Sequence, residues 1–179
     1  MKLVLAVVGT LGDALPAVAV GRAMRERGHA VAVIASPVFA DMIERAGLEP
    51  LPFGTAADYQ ALVDHPDYWD PERGFGWFAK HAVLPSLRPV VALVERASRR
   101  GDTVVGAMNY AHGASHAAER LGLPTARLVT QPAMLDALSA GMPGRFARVV
   151  GSLETFLDHR GRTLGATEAR APRRRALVA

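Results

Sequence analysis

The sequence predicts an α/β fold: a doubly wound, Rossmann-like parallel sheet with helices on both faces. Three observations predict it. Short apolar runs rich in Val, Ala and Leu recur, first at residues 2–8, then at 30–35 and 102–108. Between them lie longer stretches with helical spacing that close on glycine, at Gly28, Gly47, Gly101 and Gly122. The first run leaves through a glycine-rich turn, as a strand feeding a ligand-facing loop does.

Each element follows from its residues. Lys2 to Val8 is continuously apolar, which suits a strand buried on both faces. Gly9-Thr10-Leu11-Gly12-Asp13-Ala14-Leu15-Pro16 reads as a turn with one acid in it, and the following amphipathic run ends at Arg27-Gly28. Ala30 to Ala35 is a second strand. Ser36-Pro37 opens a helix through Phe39, Met42 and Ile43 that Gly47 stops. Leu48 to Phe53 holds two prolines, so it is an edge strand or an extended link.

Residues 54–76 crowd Asp58, Asp64, Asp67, Asp70 and Glu72 among aromatic side chains and glycine or proline breaks. This segment is expected to be irregular, with one short helix at 56–63. A long helical pattern then runs from Phe75 to Arg100, and Pro85 and Pro89 should kink or divide it. Strands at 102–108 and 125–130 flank a helix from His112 to Leu121. A further amphipathic helix is expected at 146–158, and a basic, poorly ordered tail at 161–179, leaving residues 1–160 as one domain.

Composition narrows the function classes. The 179 residues are 50% hydrophobic, enough for a substantial core. The absence of cysteine excludes disulfides, thiolate metal sites and a cysteine nucleophile. No apolar run approaches the ~18–20 residues of a membrane helix, and Gly9, Gly12 and Asp13 interrupt the N-terminal run before it can act as a signal peptide. A cytoplasmic location is expected. From Arg145 onward eight arginines face three acids, so the formal charge of +4 belongs to the tail. That tail could touch a membrane surface peripherally; it lacks the interleaved aromatics of a nucleic-acid module, and no nucleic-acid partner is expected.

Several stretches resemble a known family. The turn from Gly9 to Pro16, Arg27-Gly28-His29-Ala30-Val31, Ser36-Pro37-Val38-Phe39 and Ala46-Gly47-Leu48 are similar to the N-terminal domain of GT-B glycosyltransferases, glycosyltransferase family 28 above all. His65 to Phe75, and Ala117 to Pro124 with Gln131-Pro132-Ala133, resemble its glycolipid rhamnosyltransferase branch; sterol glucosyltransferases are also similar. The resemblance covers about residues 1–135. It implies the acceptor-side half of an enzyme that moves a hexosyl group from a nucleoside-diphosphate sugar, such as a UDP-sugar, to a hydroxyl of a lipid-like or secondary-metabolite acceptor. The nucleotide-sugar would be a co-substrate, with no other cofactor and no metal. Such enzymes have a second domain that holds the nucleotide. The chain is therefore expected to be inactive alone, as a fragment, a remnant or one subunit of a split enzyme. Its partners would be a small-molecule acceptor and a separate C-terminal half or a second copy of itself.

The resemblance makes Asp13 the general base on the acceptor hydroxyl, a task that needs a carboxylate within hydrogen-bond reach. Read from the residues alone, Asp13 could equally cap the helix that follows. Gly9 and Gly12 would let backbone and sugar approach closely, with Thr10 between them. A phosphate site is disfavoured, because the turn lacks a P-loop's spacing and lysine and because Asp13 would repel the anion. Tyr59, Tyr68, Trp69, Phe75, Trp77 and Phe78 could wall an apolar acceptor pocket or pack the long helix. Of these, Tyr68 and Trp69 are the pocket candidates. Asn109, Tyr110 and His112 follow a strand end and would face the same cleft. His112, His116 and Glu119 share a helix face but lack the zinc hydrolase pattern, and ordinary helix polarity explains them. The alternative function is a non-catalytic small-molecule-binding subunit.

Overall fold

The structure is a computed structural model and describes residues 1–130. Five parallel strands, β1 (Lys2–Ala6), β2 (Ala30–Ala35), β3 (Glu49–Pro52), β4 (Thr103–Met108) and β5 (Thr125–Leu128), lie in the order β3-β2-β1-β4-β5. Lys2 is level with Ala30 on one side and with Thr103 on the other. The chain runs outward from β1 through β2 to β3, then returns to lay β4 against β1. The reversal puts the topological switch point between β1 and β4, where ligands of such sheets bind.

Alternation along β1 explains its unbroken apolar run. Leu3, Leu5 and Val7 share a core with Ala14, Ala17 and Val18 of α1 (Leu11–Glu26) and with Phe39 and Ile43 beyond β2. Val4, Ala6 and Val8 point to the opposite face and are also buried. That face is covered by α6 (Leu84–Ala97) and α7 (His112–Leu121), which pack on one another. They approach so closely that a Cβ on Gly113 would lie 2.6 Å from the Leu87 carbonyl oxygen.

Several sequence expectations need correction. The helix after β1 begins at Leu11, so only Gly9 and Thr10 form the turn. Pro16 sits inside α1, where its missing N–H frees the Gly12 carbonyl, and Gly12 is exposed to water. The helix expected from Ser36 is a 3-10 turn at Pro37–Phe39 followed by α2 (Ala40–Arg45). The acidic segment is more regular than expected. It folds into α3 (Ala56–Asp64), α4 (Pro66–Trp69) and α5 (Gly74–Phe78). Its acids punctuate these helices. Asp58 stands in the first turn of α3 and Asp67 in that of α4. Asp70 accepts from the backbone N–H groups of Glu72 and Arg73, both at 2.9 Å. Arg73 then clamps Asp67 and Asp70 at 2.9 and 3.0 Å, and these contacts hold the Asp70 carboxyl at about 2, below the usual range. The long helix is divided as expected, by a π-helical turn at Ala79–Val83 just before Pro85. Widening that turn accommodates the proline ring. The edge strand at 49–52 agrees with its prolines, and the last strand stops at Leu128, short of the expected Thr130.

Among the described residues no helix is long and apolar enough to cross a membrane. The helix expected at 146–158, the tail at 161–179 and the domain boundary between them lie outside the described residues.

Candidate functional site

The β1 exit builds a fixed carboxylate. Thr10 is the N-cap of α1 in an extended conformation, and Asp13 is the third helical residue. The Thr10 backbone N–H donates to Asp13 Oδ2 at 3.0 Å, closing the back half of a capping box. Gly9 makes room for this. Its φ is +155°, and a Cβ there would overlap Asp13 Oδ2. Gly12 does not share the role: a Cβ on it would meet nothing closer than Thr10 Oγ1 at 3.8 Å. Burial pushes the Asp13 carboxyl up, against hydrogen bonds from the Thr10 backbone and side chain that lower it. A raised pKa moves a carboxylate toward the range of a useful general base.

Three phenols from three different segments feel the charge of this carboxylate. Tyr59 of α3, Tyr68 of α4 and Tyr110 after β4 are each raised by burial and, next, by the charge on Asp13. Ring contacts hold the phenols in place. Tyr110 meets Phe78 edge-on at 5.0 Å, Tyr68 meets Phe78 at 6.2 Å, and Tyr59 meets Phe39 at 5.3 Å. Beside Gly9 opens a cavity of about 280 Å³. Val7, Val8 and Gly9 from the β1 end, Phe53 and Gly54 from the β3 end, and Tyr59, His81 and Pro85 line it. The cavity and the Asp13 carboxylate therefore share two neighbours, Gly9 and Tyr59.

Residues 3–140 match the glycosyltransferase family 28 N-terminal domain. The chain belongs to this family. An uncharacterized glycosyltransferase of Mycobacterium tuberculosis is 28% identical over 164 residues, which is 88% of this chain and 39% of the relative. An uncharacterized protein of Mycobacterium bovis is 47% identical over 60 residues, 34% of this chain and 14% of the relative. Among solved structures, the calicheamicin glycosyltransferase CalG4 superposes with a TM-score of 0.61 at 19% identity, covering 89% of this chain and 42% of its own. A glycosyltransferase of Streptomyces sp. SF2575 gives 0.55 at 22% identity, covering 79% and 43%. The family 28 chain thus has the fold of GT-B glycosyltransferases and spans well under half the length of these glycosyltransferases.

Within this family 28 domain the residues singled out in sequence divide into two groups. Gly9, Thr10, Asp13, Tyr68 and Tyr110 come together around the carboxylate. Asn109 directly follows β4 at the switch point. It is 6% exposed, and neither polar atom of its amide has a hydrogen-bond partner among the described residues. His112 opens α7, and its imidazole is lowered to about 4 by burial and then by the charge of Arg127 on β5. Trp69 stands apart. It is 70% exposed, and its indole N–H donates to the Val63 carbonyl at 2.7 Å. Gly12 is an exposed residue of α1 with space around it. Among the described residues no His, Asp and Glu cluster has the arrangement of a metal site.

Sequence reasoning passed over Thr55 and Asp58. Gly54-Thr55-Ala56-Ala57-Asp58 repeats the pattern Gly9-Thr10-Leu11-Gly12-Asp13. The Thr55 N–H donates to Asp58 Oδ2 at 2.9 Å, as Thr10 does to Asp13. A search for Gly-Thr-x-x-Asp after each strand would have found both.

Proposed function

We propose that this domain is the acceptor side of a hexosyl transfer from a nucleoside-diphosphate sugar to a hydroxyl of a lipid-like or secondary-metabolite acceptor. The observation that supports it best is the Asp13 carboxylate, half-buried with a raised pKa and held by the Thr10 N–H at the end of β1 in a family 28 N-terminal domain. In this reading the acceptor hydroxyl approaches Asp13, which takes its proton as the oxygen attacks the anomeric carbon. The bond to the diphosphate breaks as the new glycosidic bond forms, and a second domain, in this or another polypeptide, stabilises the leaving diphosphate. Asn109 offers a buried amide to a sugar or acceptor oxygen near the switch point. No metal or further cofactor is invoked.

The division of labour is testable. A reconstituted transferase, with the chain fused to or mixed with a C-terminal family domain, should transfer hexose from UDP- or dTDP-sugar, while the 179-residue chain alone should neither transfer nor bind the nucleotide-sugar. Tight nucleotide-sugar binding by the chain alone, or full transfer by an Asp13→Asn reconstituted enzyme, refutes the reading.

A further inference from the structure

The 280 Å³ cavity lies between the two Gly-Thr-x-x-Asp turns, with Gly9 on one side and Gly54, Thr55 and Asp58 on the other. Its volume is at the small end of ligand pockets, the size of one compact ring system rather than a long chain. Leu62, Phe53, Ala82, Pro85 and Pro89 give it apolar walls, and Asp58 is the one carboxylate on them. No lysine or arginine lines it. Both Thr55 donors, the N–H at 2.9 Å and the hydroxyl at 2.7 Å, go to Asp58 Oδ2, so the carboxylate is fixed and Oδ1 takes no partner among the described residues. Through Gly9 and Tyr59 the cavity adjoins the second fixed carboxylate, Asp13.

We propose that this cavity holds the non-reacting end of the acceptor, that it takes a compact uncharged ring, and that Asp58 makes it reject anionic ones. The inference rests on the acceptor-side reading of the domain. A ring seated against Phe53 and Leu62 directs its outer hydroxyl past Gly9 toward Asp13. A carboxylate on the same ring would meet the fixed Asp58 carboxylate with no lysine or arginine to offset it, and like-charge placement is an effective way to exclude a ligand.

The test uses the 179-residue chain with 2-naphthol and 2-naphthoate, a pair that differs in charge, at about pH 8, above the ordinary imidazole range. Amide chemical shifts report where each binds and how tightly. Expected is saturable binding of 2-naphthol that moves the Gly9, Gly54 and Tyr59 amides, with 2-naphthoate weaker by about tenfold or more. Asp58→Asn should bring 2-naphthoate to within about threefold of 2-naphthol and leave 2-naphthol unchanged, which also shows that the variant is folded. Ala82→Phe, which fills the cavity from a partly exposed wall, should weaken 2-naphthol by at least about tenfold. Equal binding of the two probes by the native chain, shifts confined to other amides, or unchanged charge selectivity in Asp58→Asn overturns the proposal. Binding needs no transfer, so failure here leaves the Asp13 reading standing, and failure of Asp13→Asn to stop transfer leaves this result intact.

Discussion

Gly9 is a glycine because of Asp13. A Cβ at position 9 would overlap Asp13 Oδ2 and come within 2.7 Å of its Cγ, at a φ of +155° that side-chain-bearing residues rarely adopt. Gly9→Ala should therefore swing the Asp13 carboxylate out of its bond to Thr10 and destabilise the domain by roughly 1–3 kcal/mol. Urea denaturation measures the second effect. Transfer by the reconstituted enzyme measures the first, and it should fall further than Gly12→Ala makes it fall, since Gly12 has space for a methyl.

Asp13→Asn should separate activity from stability. Asn keeps an oxygen for the Thr10 N–H but cannot take a proton from an acceptor, so transfer should drop by about 100-fold or more. The sign of the stability effect follows from burial. The native carboxyl is raised, so the folded state holds this proton more tightly than the unfolded chain. The native protein accordingly loses stability as pH rises from the ordinary carboxylate value through the raised one. The stability of Asp13→Asn relative to the native chain should be higher at pH 7 than at pH 3, which paired urea titrations would read directly.

The strands were legible because a parallel sheet buries both faces. Leu3 and Val4 point to opposite cores, so the run is apolar throughout and its length alone marks it. The α1 boundary was harder to place, because Pro16 and Gly12 look like turn residues. What decides it is the hydrogen bond from the Thr10 N–H to Asp13, which starts the helix earlier. The cap reading of Asp13 needs one change: Thr10 is the N-cap, and Asp13 caps from the third helical position, where its carboxyl is half-buried and raised. The cavity was not legible. Its walls come from β1, β3, α3 and the π-helical turn, and no spacing along the chain records that those segments meet.

Thr10→Val should sharpen the electrostatic account of Asp13. Valine keeps the backbone N–H bond and removes the hydroxyl, which holds the Asp13 carboxyl down. The hydroxyl lowers the Asp13 carboxyl, so its loss should raise that carboxyl further and move the acid limb of the transfer pH profile upward. Thr10→Ser should leave the limb in place. A carboxyl-carbon NMR titration of Asp13 provides the same measurement without a transfer assay.

His112 should give the domain a dependence on mildly acid pH that is independent of Asp13. Burial, and next the charge of Arg127, lowers its imidazole to about 4, whereas an unfolded histidine titrates near 6.5. As pH falls below 6.5 the unfolded chain takes up this proton and the native chain does not. Stability from this group is complete above the unfolded value and is lost as pH falls toward 4, by on the order of 2–3 kcal/mol at the lower end. His112→Gln carries no such proton, so its urea midpoint should fall less than the native one between pH 7 and pH 4. Equal falls would mean that the His112 imidazole is protonated as readily in the fold as in the unfolded chain. That outcome would remove the assignment of His112 to a buried, neutral position beside Arg127.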